Sequence, residues 1–248
     1  MTLNPKYENL RHFIEEIPAK FDVLGEEIYH KRNIVKRMVA PDGTVLNVKR
    51  YCVPYIINRM VYSYGIRKPK GVRAYANPLL LKKHGVDSPE SVAYMEERNW
   101  LGLIGHSFYI SIQSPYRHTM YELLDYTLEK AVDLMDAFVA FTVKMHKSEV
   151  FHRDYSPGNI LWDKVDGEYK FSLVDTNRMY YGPVSVEMGL KGFRRLWATK
   201  DIYIYIVRRY AALCGYDEDA GEQMALEERK KFWTRFGLKH PLPFPVEF

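Results

Sequence analysis

The sequence predicts an α+β protein in two parts: a strand-rich part with one helix over residues 1–115, and a helical part over residues 116–248. Three observations predict it. Runs of alternating and β-branched residues, punctuated by turn residues, fill the first third. From about Thr119 apolar residues recur at helical spacing instead. Between the two, Ser114-Pro115-Tyr116 reads as a connector, which sets the seam near Ser114 to Arg117.

The elements follow in order. Asn33 to Ala40 and Thr44 to Tyr51 are rich in branched and alternating residues, and Pro41-Asp42-Gly43 between them makes the pair a hairpin. A further strand is expected around Ile28 to Lys31. Lys70 to His84 is helical in part, with Gly85 as its C-terminal cap. Asn77-Pro78 is expected to interrupt it, because the residue before proline avoids helical geometry. Alternatively Asn77 caps a short helix with Pro78 in its first turn. Strands are expected near Ser91 to Glu97 and His106 to Gln113. Leu128, Ala131, Val132, Met135, Phe138, Val139, Thr142 and Met145 then mark one face of a long helix. After it, Val150 to Trp162 is a loop dense in polar residues. Lys170 to Val174 is a short strand of buried type, with Ile160 to Asp163 as its partner. Leu190 to Leu238 reads as helical, and the tail from His240 to Pro245 as extended.

Composition limits what the chain does. Aromatic residues make up 15% of it, enough to build a core and to exclude disorder over most of its length. No apolar run approaches the roughly 18–20 residues that span a bilayer. Residues 1–20 carry Glu15, Glu16 and Pro18 where a signal peptide needs an apolar stretch, so a cytoplasmic protein is expected. Cys52 and Cys214 are too few and too far apart for a disulfide framework, and read as reduced thiols. A net charge of +5 is moderate, and no nucleic-acid partner is expected from it. No obligate protein partner is evident either. Lysine and arginine gather between Lys31 and Lys83, Arg67 among them. Such a face meets phosphates, an anionic substrate or acidic membrane lipid, or is simply solvated.

The segment Phe151 to Trp162 carries the chemistry. It contains His152-Arg153-Asp154, then four residues, then Asn159, leading into an apolar strand. Asp175 stands directly after the strand from Phe171 to Val174. Phosphoryl transfer from a nucleotide needs this set: one carboxylate to take the acceptor hydroxyl's proton, and two oxygen ligands to hold magnesium against the phosphates. Asp154 is the candidate base, and Asn159 and Asp175 are the candidate metal ligands. The plainer alternative is a turn cap, a strand start and a strand end. Lys49, closing Val45-Leu46-Asn47-Val48-Lys49, is a candidate point charge for nucleotide phosphates, or a lysine on a solvated strand face.

Residues 152–159 match H-R-D-x-x-x-x-N, the catalytic loop of the protein-kinase-like superfamily, at all four fixed positions. Lys49 falls where that pattern has its phosphate-binding lysine. The glycine-rich loop is missing, and Gly25 alone occurs in its region as a cofactor-binding candidate. Asp175-Thr176-Asn177 replaces the aspartate-phenylalanine-glycine triplet, with Asn177 expected to supply the left-handed turn. No alanine-proline-glutamate sequence and no long activation segment follow, which argues against an ordinary protein kinase. Over longer stretches, Gly25 to Asn33, Asn47 to Lys49, Gly85 to Tyr94 and His152 to Leu161 resemble the bacterial lipopolysaccharide kinase family, the Kdo and heptose kinases of the WaaP type.

That resemblance implies a protein-kinase-like two-lobed fold, with a small antiparallel-sheet N-lobe and a mainly helical C-lobe. It also implies ATP with magnesium, and a sugar or lipid-linked sugar of a lipopolysaccharide core precursor as acceptor. Such an enzyme works at the cytosolic face of the inner membrane. A kinase of another small molecule, aminoglycoside-like or choline-like, and a nucleotide-binding pseudokinase remain open. Between Gly65 and Val86 there is no Asp or Glu, and Ala74 and Ala76 occupy the expected places of the helix glutamate that holds the strand lysine. Glu26, Glu27, Glu96 and Glu97 are the nearest substitutes. Trp162, Trp197, Tyr180, Tyr181 and Tyr203 either stack on a sugar or fill the core. His106, His118 and His146 have no metal-ligand spacing.

Overall fold

The computed structural model describes residues 1–66 and 68–247; Arg67 lies outside the described residues. The chain forms two compact units. The first holds Met1–Leu80 and Ser88–Pro115, and the second holds Leu81–Asp87 and the chain from Tyr116 on. Residues 81–87 thus group with the second unit although they precede residue 115.

The first unit runs β1 (Thr2–Leu3), α1 (Arg11–Lys20), β2 (Glu26–His30), β3 (Ile34–Val39), β4 (Val45–Tyr51), α2 (Ile56–Ser63), α3 (Lys70–Lys83, its end from Leu81 on belonging to the second unit), β5 (Ser91–Arg98) and β6 (Ile104–Ile112). Its sheet has the order β1-β5-β6-β4-β3-β2, with every pair antiparallel. The expected hairpin is β3–β4. Its turn holds Gly43 at φ +86°, and Asp42 Oδ1 accepts from the Thr44 N–H at 2.9 Å. Alternation sorts the side chains by face. Leu46 and Val48 join Phe108 and Ile110 in a core with Ile14, Ile17 and Phe21. Asn47, Lys49 and Tyr51 take the opposite face of the sheet. Neither α1 nor α2 is read from the sequence. A buried lysine ties the end of α1 to the sheet: Lys36 Nζ donates to the carbonyls of Phe21, Asp22 and Leu24 at 2.8, 3.1 and 3.2 Å. The cation thus satisfies carbonyls of the turn that follows α1.

The expected interruption at Asn77-Pro78 does not occur. α3 runs through Pro78 without a break. Ala74 and Leu81, a turn to either side, are buried, and packing of that face outweighs one missing hydrogen bond. Gly85 does end it, at φ +69°, with Val86 N–H reaching Leu81 O and Gly85 N–H reaching Lys82 O.

The second unit runs β7 (His118–Thr119), α4 (Leu128–Lys147), β8 (Val150–His152), β9 (Ile160–Val165), β10 (Glu168–Leu173), β11 (Met179–Tyr181), α5 (Val186–Gly192), α6 (Lys200–Leu213) and α7 (Glu218–Gly237). Small sheets β10-β9-β7 and β11-β8 accompany the helices. Leu134, Met135 and Phe138 of α4 pack with Phe171, Leu173, Phe193, Ile206 and Tyr210. Fully buried Arg229 of α7 donates to Leu196 O at 2.9 Å and Ala198 O at 2.8 Å, with its guanidinium 4.3 Å above the Tyr203 ring. Among the described residues no helix is long and apolar enough to cross a membrane.

Candidate active site

The loop between β8 and β9 is folded by its own polar groups. His152 ends β8 and is fully buried. Its Nε2 donates to Val174 O at 3.2 Å, and its Nδ1 accepts from the Asp154 N–H at 3.1 Å. The ring is therefore neutral with its proton on Nε2, in keeping with burial, which pushes its pKa down. His152 is a structural hinge pin between Asp154 and the residue before Asp175. Asn159 closes the loop: its Nδ2 donates to Asp154 O at 2.9 Å and to Ser156 Oγ at 3.1 Å. Val174 N–H in turn donates to Asn159 O at 3.0 Å, next to the β9–β10 pairing of Ile160 with Leu173. These bonds gather Asp154, Asn159 and Asp175 at one end of the β9–β10 hairpin.

The Asp175 backbone is the unusual feature. It lies in the left-handed region at φ 52°, ψ 44°, which a non-glycine residue seldom adopts. The expectation that Asn177 supplies this turn is corrected. Asn177 sits in a 3-10 turn over Thr176–Arg178, is buried, and donates through Nδ2 to Asp175 Oδ1. Asp175 bends the chain and Asn177 pins its carboxylate, while the residue itself stays exposed.

Two arginines that the sequence reading missed meet Asp154. Arg195 Nη1 lies 3.0 Å from Oδ1 and Arg178 Nη1 lies 3.8 Å from Oδ2. Arg195 rests 4.8 Å over the Phe232 ring, and its Nε is buried without a hydrogen-bond partner. Its signal was Arg194-Arg195 within an otherwise apolar Gly192-to-Trp197 stretch. Arg178 stands three residues after Asp175. Arg153 is exposed, with its guanidinium 5.4 Å from the Tyr180 ring. Gly158 gives the loop a close neighbour: a Cβ there would come within 2.7 Å of the Tyr121 ring. Tyr121 meets Trp197 edge-on at 4.5 Å, so an aromatic pair stands beside the catalytic loop. Trp162 and Tyr203 are core residues, the former stacked on His118 at 4.4 Å.

Lys49 and Gly25 belong to the first unit. Lys49 pairs across β4–β6 with Tyr109, which pairs with Tyr94 of β5, and Glu96 lies one step along that face. Glu96 accepts from Tyr94 Oη at 3.0 Å and from Arg98 Nη2 at 2.6 Å. Gly25 has φ +76°, and a Cβ there would lie 2.6 Å from Arg37 O. Close approach to β3 thus requires glycine at this position on structural grounds alone.

Magnesium favours hard oxygen ligands and leaves its other positions to phosphate and water. Both Asn159 donations come from Nδ2, so Oδ1 is the atom that would face a metal, and the Asp175 carboxylate would supply a second hard oxygen. The residues fit such an ion. Among the described residues there is no group of three His, Cys, Asp or Glu side chains of the kind that would hold a metal without substrate oxygens. A groove of about 820 Å³ between α4 and the β9–β10 hairpin is lined by Asp133, Asp136, Lys144 and Tyr169 among others, but by none of the three candidate residues.

Fold and site together define a class: the chain has the protein-kinase-like fold, with a sheet-based unit and a mainly helical one. In particular it is similar to WaaP in complex with acyl carrier protein, at 17% identity and TM-score 0.59, over 94% of this chain and 98% of that one. It is also similar to the Rio2 kinase of Chaetomium thermophilum in its ADP/Mg²⁺-phosphoaspartate complex, at 16% identity and TM-score 0.50, over 91% and 77% of the chains. Amicoumacin kinase hAmiN, in complex with AMP-PNP, Ca²⁺ and Ami, is 12% identical with TM-score 0.50, over 94% and 80%. A stretch of 71 residues, 29% of the chain, is 32% identical to a putative ribosomal protein S6 kinase alpha-2 of Caenorhabditis elegans, and spans 9% of that relative's length. No family model matches the chain.

Proposed function

We propose that the chain is an ATP-dependent phosphotransferase that phosphorylates a sugar hydroxyl, of Kdo or heptose, in a lipopolysaccharide core precursor. It would work in the cytoplasm, at the inner face of the inner membrane. The observation that carries the reading is the loop that gathers Asp154, Asn159 and Asp175 through His152, Val174 and the Asn159 amide. In it the Asp154 carboxylate takes the proton of the acceptor hydroxyl as that oxygen bonds to the γ-phosphorus of ATP, while the bond from that phosphorus to the bridging oxygen breaks and ADP leaves with it. Arg195 holds one carboxylate oxygen, which orients the base. Asn159 Oδ1 and Asp175 would hold magnesium, which when bound neutralises the phosphates of ATP. Lys49 is the proposed clamp on those phosphates, with Gly25 at the nucleotide edge. Tyr121, exposed and braced edge-on by Trp197, offers a ring to a sugar, and the exposed Arg178 offers a cation to an anionic one.

The resemblance to the lipopolysaccharide kinases chooses the acceptor, and the likeness to WaaP supports that choice. WaaP was solved with acyl carrier protein, so co-purification with an acyl carrier protein tests the expectation of no obligate protein partner. The direct test is phosphate transfer from labelled ATP to core oligosaccharides, simple sugars and aminoglycosides, with Asp154→Asn as control. Transfer to a Kdo or heptose acceptor, reduced by about 10²-fold or more in the variant, is expected. Transfer to an aminoglycoside alone moves the chain to the small-molecule kinases. ATP with magnesium should raise the Tm, and Asp175→Ala should shrink that rise. Binding without transfer to any acceptor would make it a pseudokinase.

A further inference from the structure

α2 inverts the usual arrangement of an amphipathic helix. None of its eight residues is buried. At 100° per residue, Ile56, Met60, Tyr64 and Ile57 fall within an arc of about 100°, and all four are exposed, Ile57 by 78%. Polar groups beside this arc hold the helix in place. Arg59 Nε donates to Ile104 O at 2.6 Å, and Ser63 Oγ accepts from the Ile104 N–H at 2.9 Å. These bonds seat α2 at the start of β6, beside the β5–β6 turn. That turn carries Trp100, 90% exposed, and Leu101, also exposed. The apolar side chains of helix and turn therefore share one edge of the first unit and face water there.

Two further features say what covers this surface. Residues 52–80 contain five lysines and arginines and no aspartate or glutamate, and Lys68 just past α2 is exposed. Tryptophan and tyrosine, here Trp100, Tyr55 and Tyr64, are the residues that settle at a lipid–water boundary, with the ring in the acyl region and the polar edge among headgroups. A short helix with an apolar arc, aromatic flanks and a cationic stretch of chain after it is the composition that lies in a bilayer interface.

We infer that α2 and the Trp100–Leu101 turn dock this protein on an anionic lipid membrane, with the apolar arc in the interface and the cations against acidic headgroups. The choice of occupant rests on the proposed lipid-linked acceptor, which such a surface would present. The geometry of the patch does not depend on catalysis, so the two readings fail separately.

The test uses the full chain with vesicles of phosphatidylcholine alone and of phosphatidylcholine mixed equally with phosphatidylglycerol. Sedimentation with the mixed vesicles is expected, weakening steeply as salt rises, with little binding to the neutral ones. Trp162 and Trp233 are buried and Trp197 is half-buried in the second unit, so a blue shift of fluorescence on binding should be largely lost in Trp100→Phe. Ile56→Ser/Ile57→Ser/Met60→Ser alters only exposed side chains, and should lower partitioning by about tenfold or more with an unchanged Tm. Trp100→Ser is the second, independent variant. Wild-type protein that sediments with neither vesicle, or a triple variant that binds as wild type does, overturns the inference. So does a dimer, or a complex with an acidic protein, that the triple variant abolishes while vesicle binding persists. Phosphate transfer to a soluble acceptor is measured on the same preparations. Transfer without vesicle binding sinks the docking alone, and vesicle binding without transfer sinks the proposed activity alone.

Discussion

Asp154 carries a cation on each of its carboxylate oxygens, and the two contacts differ. Arg195 is close, at 3.0 Å, and only 29% of its side chain is exposed; Arg178 is at 3.8 Å and 54% exposed. A partly desolvated ion pair orients a carboxylate better than a solvated one, because water competes less for either partner. For the proposed base Asp154, Arg195 is thus the expected positioning residue, and Arg178 the one that would turn toward an incoming anion. Arg195→Met keeps an apolar stem over Phe232 but deletes the pair. It should lower kcat by about tenfold with little change in KM for ATP, and Arg195→Lys should restore part of the loss. A kcat equal to wild type in Arg195→Met would show that backbone and His152 contacts suffice to aim the base.

At the scale of elements, glycines with positive φ are unequal, and the inequality is measurable. Gly43 closes the β3–β4 hairpin at φ +86° with nothing within 4 Å of the position a Cβ would take, so its substitution meets backbone strain alone. Gly25 combines φ +76° with a Cβ position 2.6 Å from Arg37 O and 2.7 Å from Met38 Cγ, where β2 joins β3. Gly43→Ala should cost about 1 kcal/mol. Gly25→Ala should cost more, about 2–3 kcal/mol, because β2 must move off β3 to relieve the contact. Equal melting temperatures for the two variants would refute the close approach. Pro78 teaches the converse lesson, since a residue that disfavours helix is carried through α3 by the packing around it.

For the whole molecule, buried histidines couple stability to pH. His146 of α4 is buried, its Nδ1 is 2.7 Å from Tyr210 Oη, and burial pushes its pKa from 6.5 down to about 4. The folded protein therefore holds this ring neutral where the unfolded chain would protonate it. The unfolded state binds more protons between those two values, so stability is full above pH 6.5 and falls as pH drops toward 4. The loss from this one group amounts to about 3 kcal/mol over that window. His152 is displaced in the same direction and adds to the slope. Urea unfolding between pH 7 and 4 checks it: the midpoint should fall with pH in wild type and fall less in His146→Gln. A variant with the full wild-type slope would remove His146 as its source.

Much of this was legible in the one-dimensional pattern, because the relevant physics is local. Period-two runs with Pro41-Asp42-Gly43 between them make a hairpin wherever one face is buried, and the α4 stripe makes a helix by the same logic. The spacing from His152 to Asn159, followed by a strand and Asp175, determined the candidate catalytic set, since a tight loop can fold only a few ways around its own amides. What sequence could not determine depends on partners distant along the chain. That Asp175 rather than Asn177 takes the left-handed turn follows from how buried Asn177 grips its carboxylate. Pro78 inside α3 and glycine at position 25 are decided by packing against residues far away in the chain. Arg195 reaches Asp154 across 41 positions, and α2 turns its isoleucines outward because its polar side is bonded to Ile104. Local periodicity names the elements; only tertiary contact decides which face each one buries and which distant charge completes the site.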